Sequence, residues 1–201
     1  MLSNNEIRAA ARATLGGRIF QNEWLYPVLI FLVISAINGL LSVTLVGAVL
    51  VYGLVMCGVC EYTLLRVRGR IPHDSLGTVI DGAKKDLSGN LLTGLLVTLF
   101  TALWSLLLIV PGIVKSCSYA MVYYIKCDNP HYSAIEAITE SRRMMQGYKM
   151  KYFLLQLSFI GWMIVGALAF GIGTLWVQAY MQTANAVFYE EIRSGRVEIK
   201  L

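Results

Sequence analysis

Charge is scarce in this chain. Asp, Glu, Lys and Arg make up 14% of its 201 residues, whereas hydrophobic residues make up 57%. With a mean hydropathy of +0.62, that balance excludes an ordinary soluble globule and points to an integral membrane protein. The net charge is +5, but the basic residues are dispersed at the ends of apolar segments. They do not form a stripe with stacking aromatics, so no nucleic acid is expected as a partner. The four cysteines lie in or beside apolar segments and do not make a secreted disulfide framework. Residues 1–20 are polar and amphipathic and lack the apolar core and cleavage site of a signal peptide, so the N-terminus is expected to be retained. A nucleophile beside a base, a phosphate-cradling glycine loop and a helix-borne HExxH pair are also missing, so neither enzyme activity nor a cofactor or metal is expected.

Long apolar runs are what the chain does have. Residues 24–62 carry one charged residue, Glu61, over about twice the roughly 20 residues that one helical span requires. This predicts a hairpin of two helices, turning near residues 38–44, where Asn, Gly, Ser and Thr gather. Arg66, Arg68, Arg70 and Pro72 mark its exit. Residues 91–125 form a second run interrupted by Pro111-Gly112, and residues 152–189 form a third, broken at Gly171 and Gly173. Charge decides whether Pro111-Gly112 reverses the chain. If it does, every one of the 17 Lys and Arg residues except Lys115, and all 12 acidic residues, fall on the side of both termini. A single kinked helix would instead place Arg142, Arg143, Lys149 and Lys151 outside, against the positive-inside tendency. The expectation is therefore an all-α membrane protein of six transmembrane helices in three hairpins, with both termini cytoplasmic. The fourth span, residues 113–125, is short for a full crossing.

Between the second and third runs lies a charged island, residues 133–151. Ser133 and Glu136 have the spacing of a capping box. Ala134, Ala137, Ile138, Ser141, Met144, Met145 and Tyr148 recur at helical spacing on one side, with Glu136, Glu140 and Arg143 on another. Such a helix either lies in the membrane interface, apolar face down, or packs that face on protein. Ser133, Glu136, Arg142, Arg143, Met144 and Met145 are its candidate contact residues. Gly147 then loosens the helix. Ser3, Glu6, Arg12, Leu15 and Gly17 match Ser133, Glu136, Arg142, Met145 and Gly147 at one constant offset. Residues 76–87 hold another amphipathic stripe: Leu76, Val79, Ile80, Ala83 and Leu87. Three units are thus expected, 1–70, 71–130 and 131–201, each an amphipathic helix followed by a transmembrane hairpin.

Trp104-Ser105, Val110-Pro111-Gly112-Ile113, Tyr119, Asp128-Asn129-Pro130, Ser141-Arg142, Met145, Gly147, Ser158-Phe159-Ile160-Gly161-Trp162, Gly171-Ile172-Gly173 and Phe188-Tyr189 together resemble the bacterial integral membrane family catalogued as domain of unknown function 975. In the last span Gln178-Ala179-Tyr180 stands where that pattern has a Pro-Tyr pair. The resemblance implies a multi-span protein of the bacterial plasma membrane and brings no activity with it.

Polar residues inside the apolar runs are the candidate sites. Thr174, Gln178, Gln182, Asn185 and Tyr189 follow one face of the last span. Amides are costly in lipid unless paired, so this stripe either bonds neighbouring helices or lines a polar cavity. Glu61 is the one acid embedded in apolar sequence, a functional candidate by default or the partner of Arg66 or Arg68. Cys57-Gly-Val-Cys60 has redox or zinc spacing, but it lies in an apolar helix without a basic neighbour. Close helix packing through Gly53, Cys57 and Cys60 is expected there. His73 and His131 with Asp74 and Asp128 share no tight motif and are expected to be solvated loop residues.

Two functional readings stand on the sequence, and the first is the one favoured. One is a non-enzymatic accessory or scaffold protein that contacts membrane lipids or another membrane protein. The other is a small transporter or channel-like protein, oligomeric, that uses the polar stripe and Glu61.

Overall fold

Every element found among the described residues is helical. The computed structural model describes residues 3–15, 24, 27–33, 45–70, 75–107, 109–168 and 173–194. Residues 27–33 are helical, and the longer elements are α1 (Asn4–Leu15), α2 (Leu45–Val67), α3 (Ser75–Lys84), α4 (Leu87–Leu107), α5 (Ile109–Tyr119), α6 (Val122–Asp128), α7 (Ala134–Met144), α8 (Lys149–Leu168) and α9 (Gly173–Ser194). The expected turn at 38–44, as well as His73, Asp74, Gly17 and Gly171, lies outside the described residues.

Helices α1 and α7 begin in the same way. The Ser3 N–H donates to Glu6 Oε2 at 2.5 Å while the Glu6 N–H reaches Ser3 Oγ at 3.3 Å. At α7 the corresponding distances are 2.7 Å from Ser133 N to Glu136 Oε2 and 3.3 Å from Glu136 N to Ser133 Oγ. Each box satisfies two backbone donors that a helix start leaves open. Both apolar stripes are buried on protein: Ile7, Ala10, Ala11 and Leu15 in α1, and Ala134, Ala137, Ile138 and Ser141 in α7, followed by Met145. The Ser141 hydroxyl donates to the Ser118 carbonyl at 2.8 Å, joining α7 to α5, and the Tyr180 hydroxyl donates to the Arg8 carbonyl at 3.0 Å, joining α9 to α1. Of the two placements open for the α7 stripe, protein packing is the one observed. Glu136, Arg142 and Arg143 are exposed, and Met144 is half-buried.

The chain reverses between α4 and α5. Phe100 faces Tyr119 with ring centroids 6.4 Å apart, and a Cβ on Gly112 would lie 2.7 Å from Ser105 Oγ. Contacts that pair rising with falling residue numbers describe an antiparallel hairpin. The turn falls just ahead of Pro111, which sits in the first turn of α5, where a missing N–H leaves no hydrogen bond unmade. Helices α8 and α9 pair likewise, through Tyr152 with Phe188 at 5.3 Å between ring centroids and Gln156 Nε2 to Asn185 Oδ1 at 2.6 Å. The short fourth segment is two helices, α5 and α6, broken at Ala120-Met121.

Among the described residues, two helices are long and apolar enough to cross a membrane: α4 over Leu87–Leu106 and α8 over Lys149–Ala167. Only 17% of each segment is buried within the chain, which argues against core helices of a soluble protein. Leu92, Leu95, Leu99, Leu103 and Leu106 line the outer face of α4, and Leu154, Leu157, Ile160, Trp162, Ile164 and Val165 that of α8.

Helix α2 is held close by small residues. A Cβ on Gly53 would lie 2.6 Å from Gly94 Cα on α4, and one on Gly58 would lie 2.2 Å from the Val79 carbonyl oxygen on α3. Cys57 and Cys60 are buried beside these contacts, in the packing role expected of them. Gly69, at φ +73°, closes α2: its N–H reaches the Arg66 carbonyl and the Arg70 N–H reaches that of Leu65, the paired bonds of a Schellman cap. Gly147, at φ +81°, follows α7.

Candidate functional site

Helix α9 carries amides on the face it turns toward α6 and α8. Gln182 accepts from the Tyr124 hydroxyl at 3.2 Å through both Oε1 and its backbone carbonyl, and Asn185 accepts from Gln156 as described above. Helix α4 contributes a second polar face, Thr98, Thr101 and Ser105, opposite its leucine stripe. Between these faces lies a cavity of about 860 Å³, within the roughly 300–1,000 Å³ of small-molecule pockets. Besides those residues, Tyr52 and Met56 of α2, Ser116 of α5, Tyr123 and Tyr124 of α6, and Tyr152 and Phe153 of α8 line it. None of the described residues that line it is Asp, Glu, Lys, Arg or His. Its described walls are hydroxyls, the thiols of Cys60 and Cys117, apolar side chains and three amides, Gln156 paired with Asn185 and Gln182 bonded by Tyr124.

The cavity has a shallow and a deep end. Ala102, Ser105, Ile113 and Ser116 are exposed or half-buried, whereas Cys60, Tyr123, Tyr124 and Asn185 are buried. Tyr124 forms the floor and stacks on Tyr189, which does not line the cavity. The Tyr189 hydroxyl donates to Asp128 Oδ2 at 2.9 Å. The same carboxylate meets Arg68 at 2.8 Å and Arg193 at 3.3 Å, and Arg68 also pairs with Glu190 at 2.5 Å. Burial alone would raise the Asp128 carboxyl, but the hydrogen bonds from Arg68 and Tyr189 and the charges of both arginines hold it below the usual range. This cluster ties the ends of α2, α6 and α9 directly beneath the floor.

A family model described as "Protein of unknown function (DUF975)" matches residues 85–196. The chain belongs to the DUF975 family. No curated protein matches the chain, and no solved structure does. In this DUF975 chain the matched segment supplies the cavity walls from α4 onward, while Tyr52, Met56 and Cys60 of α2 come from outside it.

The residues singled out in the sequence do not form one site. Gln182 and Asn185 line the cavity, Tyr189 lies below its floor, and Gln178 is half-buried and not among the lining residues. Glu61 is elsewhere. It pairs with Lys85, beyond the end of α3, and not with Arg66 or Arg68: Arg66 donates to the Tyr62 hydroxyl at 3.0 Å and Arg68 serves Asp128 and Glu190. A local partner was the expectation from sequence because nothing in the spacing places α3 against α2. Glu61 borders a small cleft with Cys57, Asp86, Asn90, Lys126 and Cys127. There Lys126, 2% exposed, donates to Asp86 Oδ2 at 2.6 Å, to the Pro130 carbonyl at 2.9 Å and to the Tyr132 carbonyl at 2.5 Å. His131 lies edge-on to Tyr132, and Asp128, expected to be a solvated loop residue, is instead the last residue of α6, its side chain 10% exposed and paired with Arg68. Among the described residues, no group of three His, Cys, Asp or Glu side chains could hold a metal.

Thr98, Thr101, Ser105, Ser116, Gln156 and the tyrosines of α6 were not singled out by sequence reasoning. A signal existed in α4, where Thr98, Thr101 and Ser105 recur at i, i+3 and i+7. Hydroxyls are common in apolar helices because they can bond their own backbone, so the pattern did not stand out.

Proposed function

We propose that this protein is a non-enzymatic, six-span protein of the bacterial plasma membrane, both termini cytoplasmic, that binds and passes a small molecule through a chamber within its helices. The carrying observation is the cavity of about 860 Å³ bordered by Gln182 and Asn185. Two residues of the stripe, Gln182 and Asn185, therefore both bond neighbouring helices and border this cavity. In the six-span arrangement the hairpins are residues 24–62, α4 with α5 and α6, and α8 with α9. The break at Ala120-Met121 then lies within the bundle, where transporters place discontinuous helices beside their substrate. The ionic cluster around Asp128 sits at the cytoplasmic end and closes the chamber below.

A second reading, the accessory protein, draws on the exposed side of α7, where Ile135 is 65% exposed beside Arg142 and Arg143. That surface suits lipid headgroups or another membrane protein, and a homo-oligomer is compatible with either reading.

Native mass spectrometry of the protein gently extracted from its own membrane separates the two. A bound small molecule that is lost in Gln182→Leu supports the chamber. A stoichiometric protein partner, retained in Gln182→Leu with no small molecule bound, supports the accessory reading and overturns the first.

A further inference from the structure

Tyr189, which stays out of the chamber, lines a second cavity of about 390 Å³ between the loop after α6, the C-terminal half of α7 and the end of α9. That volume also falls in the small-molecule range of roughly 300–1,000 Å³. Its described wall carries hydrogen-bond donors that the protein leaves loosely held. The Tyr132 and Tyr148 hydroxyls bond no described residue, and both side chains are half-buried with their oxygens accessible. Arg143 commits Nε and Nη2 to Glu140 at 2.9 and 2.6 Å, but its side chain is 76% exposed, and such a surface pair is weak. Arg193 meets Asp128 at 3.3 Å and Glu190 at 3.7 Å, both beyond the about 2.7–2.9 Å of a charge-assisted hydrogen bond. Arg68 holds those same two carboxylates at 2.8 and 2.5 Å.

The charged groups on the described wall are thus two guanidiniums and one carboxylate, Glu140. Two guanidinium forks beside two open hydroxyls suit an anion with several oxygens, and phosphate matches the fork geometry.

The level of the cavity in the fold selects the kind of phosphate. Tyr148 immediately precedes the apolar segment Lys149–Ala167 of α8, and Ile192 and Arg193 lie in the last turn of α9, which runs back along α8. In the six-span arrangement this is headgroup level, where tyrosines and basic residues anchor helix ends and basic pockets between helices hold lipid headgroups. Met144 and Ile192 give the cavity an apolar edge that the glycerol and first acyl carbons of a lipid would cover. A soluble phosphate ester makes no use of that edge.

We infer that this second cavity binds an anionic phospholipid through its phosphate, which pairs with Arg143 and Arg193 while the Tyr132 and Tyr148 hydroxyls donate to its oxygens. The inference rests on the six-span placement proposed above and is independent of what occupies the chamber.

The test uses the full chain in detergent, titrated with dioctanoylphosphatidylglycerol and read by native mass spectrometry. Dioctanoylglycerol, which lacks the phosphate, and glycerophosphate, which lacks the chains, are titrated separately. The wild type is expected to bind one dioctanoylphosphatidylglycerol at least about tenfold more tightly than either. Arg143→Gln is expected to weaken that binding about tenfold. Arg142→Gln removes an equal charge from the same helix at a position that does not line the cavity and is expected to leave binding unchanged. Tyr148→Phe is expected to weaken binding about fivefold without lowering the melting temperature, since no protein group bonds the oxygen it removes. Equal affinity for dioctanoylglycerol, no effect of Tyr148→Phe, or equal losses in Arg142→Gln and Arg143→Gln overturns the inference. Equal affinity for glycerophosphate overturns the lipid and leaves a site for free phosphate esters. Failure of the membrane placement reads out separately: release of the chain from its membrane by alkaline carbonate overturns the six-span reading whatever the lipid titration gives.

Discussion

Tyr124 and Tyr189 stack with ring centroids 5.3 Å apart and ring planes 21° from parallel. The pair joins two environments. Above it the Tyr124 hydroxyl bonds Gln182 at the chamber floor, and below it the Tyr189 hydroxyl bonds Asp128 in the ionic cluster. A change in the cluster therefore has a direct path to the floor through two rings.

Asp128→Asn should loosen that path. The carboxylate accepts from Arg68 and Tyr189 and also faces Arg193. Hydrogen bonds to charged groups contribute about 1.5–3 kcal/mol, and the partial exposure of both arginines reduces this, so a net loss of about 1–2 kcal/mol is expected. Tyr189→Phe keeps the stacked ring and the ion pairs and should lose about 1 kcal/mol or less. Thermal unfolding in detergent measures both; equal losses would show that the ion pairs add nothing beyond the tyrosine bond.

Acidification should loosen the end of the bundle that holds the ionic cluster. Five described carboxyls are held below their ordinary values, among them Glu6, chiefly by the Ser3 backbone N–H, and Glu140, chiefly by its hydrogen bond from Arg143. Asp86 is lowered chiefly by its hydrogen bond from Lys126, Glu136 by the Ser133 backbone N–H, and Asp128 by the arginines and Tyr189 against the opposing effect of burial. A carboxyl whose folded value is depressed contributes stability that is fully present above its unfolded value, about 3.9 for Asp and 4.3 for Glu. That contribution is lost as pH falls through the folded value. Melting temperature should hold steady down to about pH 5 and then fall. In Asp128→Asn the fall should be shallower, because one of the titrating groups is gone.

Lys126→Met tests the second cluster. The ammonium group is almost wholly buried and bonds one carboxylate and two backbone carbonyls. Methionine matches its length but donates nothing, so the carbonyls of Pro130 and Tyr132 lose their shared partner. A loss of about 2 kcal/mol or more is expected. Lys126→Arg should recover little of it, since a planar fork does not reproduce three donors radiating from one nitrogen. A melt unchanged by Lys126→Met would show that water replaces the ammonium group.

Local features of the fold were legible in the sequence. The capping box at Ser133 and Glu136 follows from side-chain reach alone, and the stripe from Ala134 to Met145 follows from helical period. The reversal near Pro111-Gly112 was readable because the basic residues beyond it needed a side. What depended on distant pairing was not readable. Glu61 meets Lys85 across helices, and the hydroxyls of α4 and the amides of α9 border one space only after α5 and α6 have folded between them. No spacing within a single helix encodes that meeting. The break at Ala120-Met121 was equally hidden, since neither residue is a helix breaker and tertiary packing of the wholly buried Met121 and Val122 decides it.

The crossing of α2 and α4 offers a test with its own control. At that point a Cβ on Gly94 would lie 2.5 Å from Gly53 Cα. The obstacle is backbone, so it cannot rotate away as a side chain would. In lipid, helices associate through close packing of small residues and not through hydrophobic exclusion from water, and separating the two backbones also withdraws the packing around the crossing. Gly94→Ala should therefore destabilise by about 1–3 kcal/mol, in spite of alanine's higher helix propensity. At Gly161, inside α8, the position a Cβ would take has nothing within 4 Å; there Gly161→Ala should stabilise by about 0.5–1 kcal/mol, the ordinary gain for a helix interior. The two substitutions add the same methyl to the same kind of helix, so opposite signs in thermal unfolding isolate the contact at Gly53. If both variants shift the melt in the same direction, the close approach of α2 and α4 does not hold the bundle together.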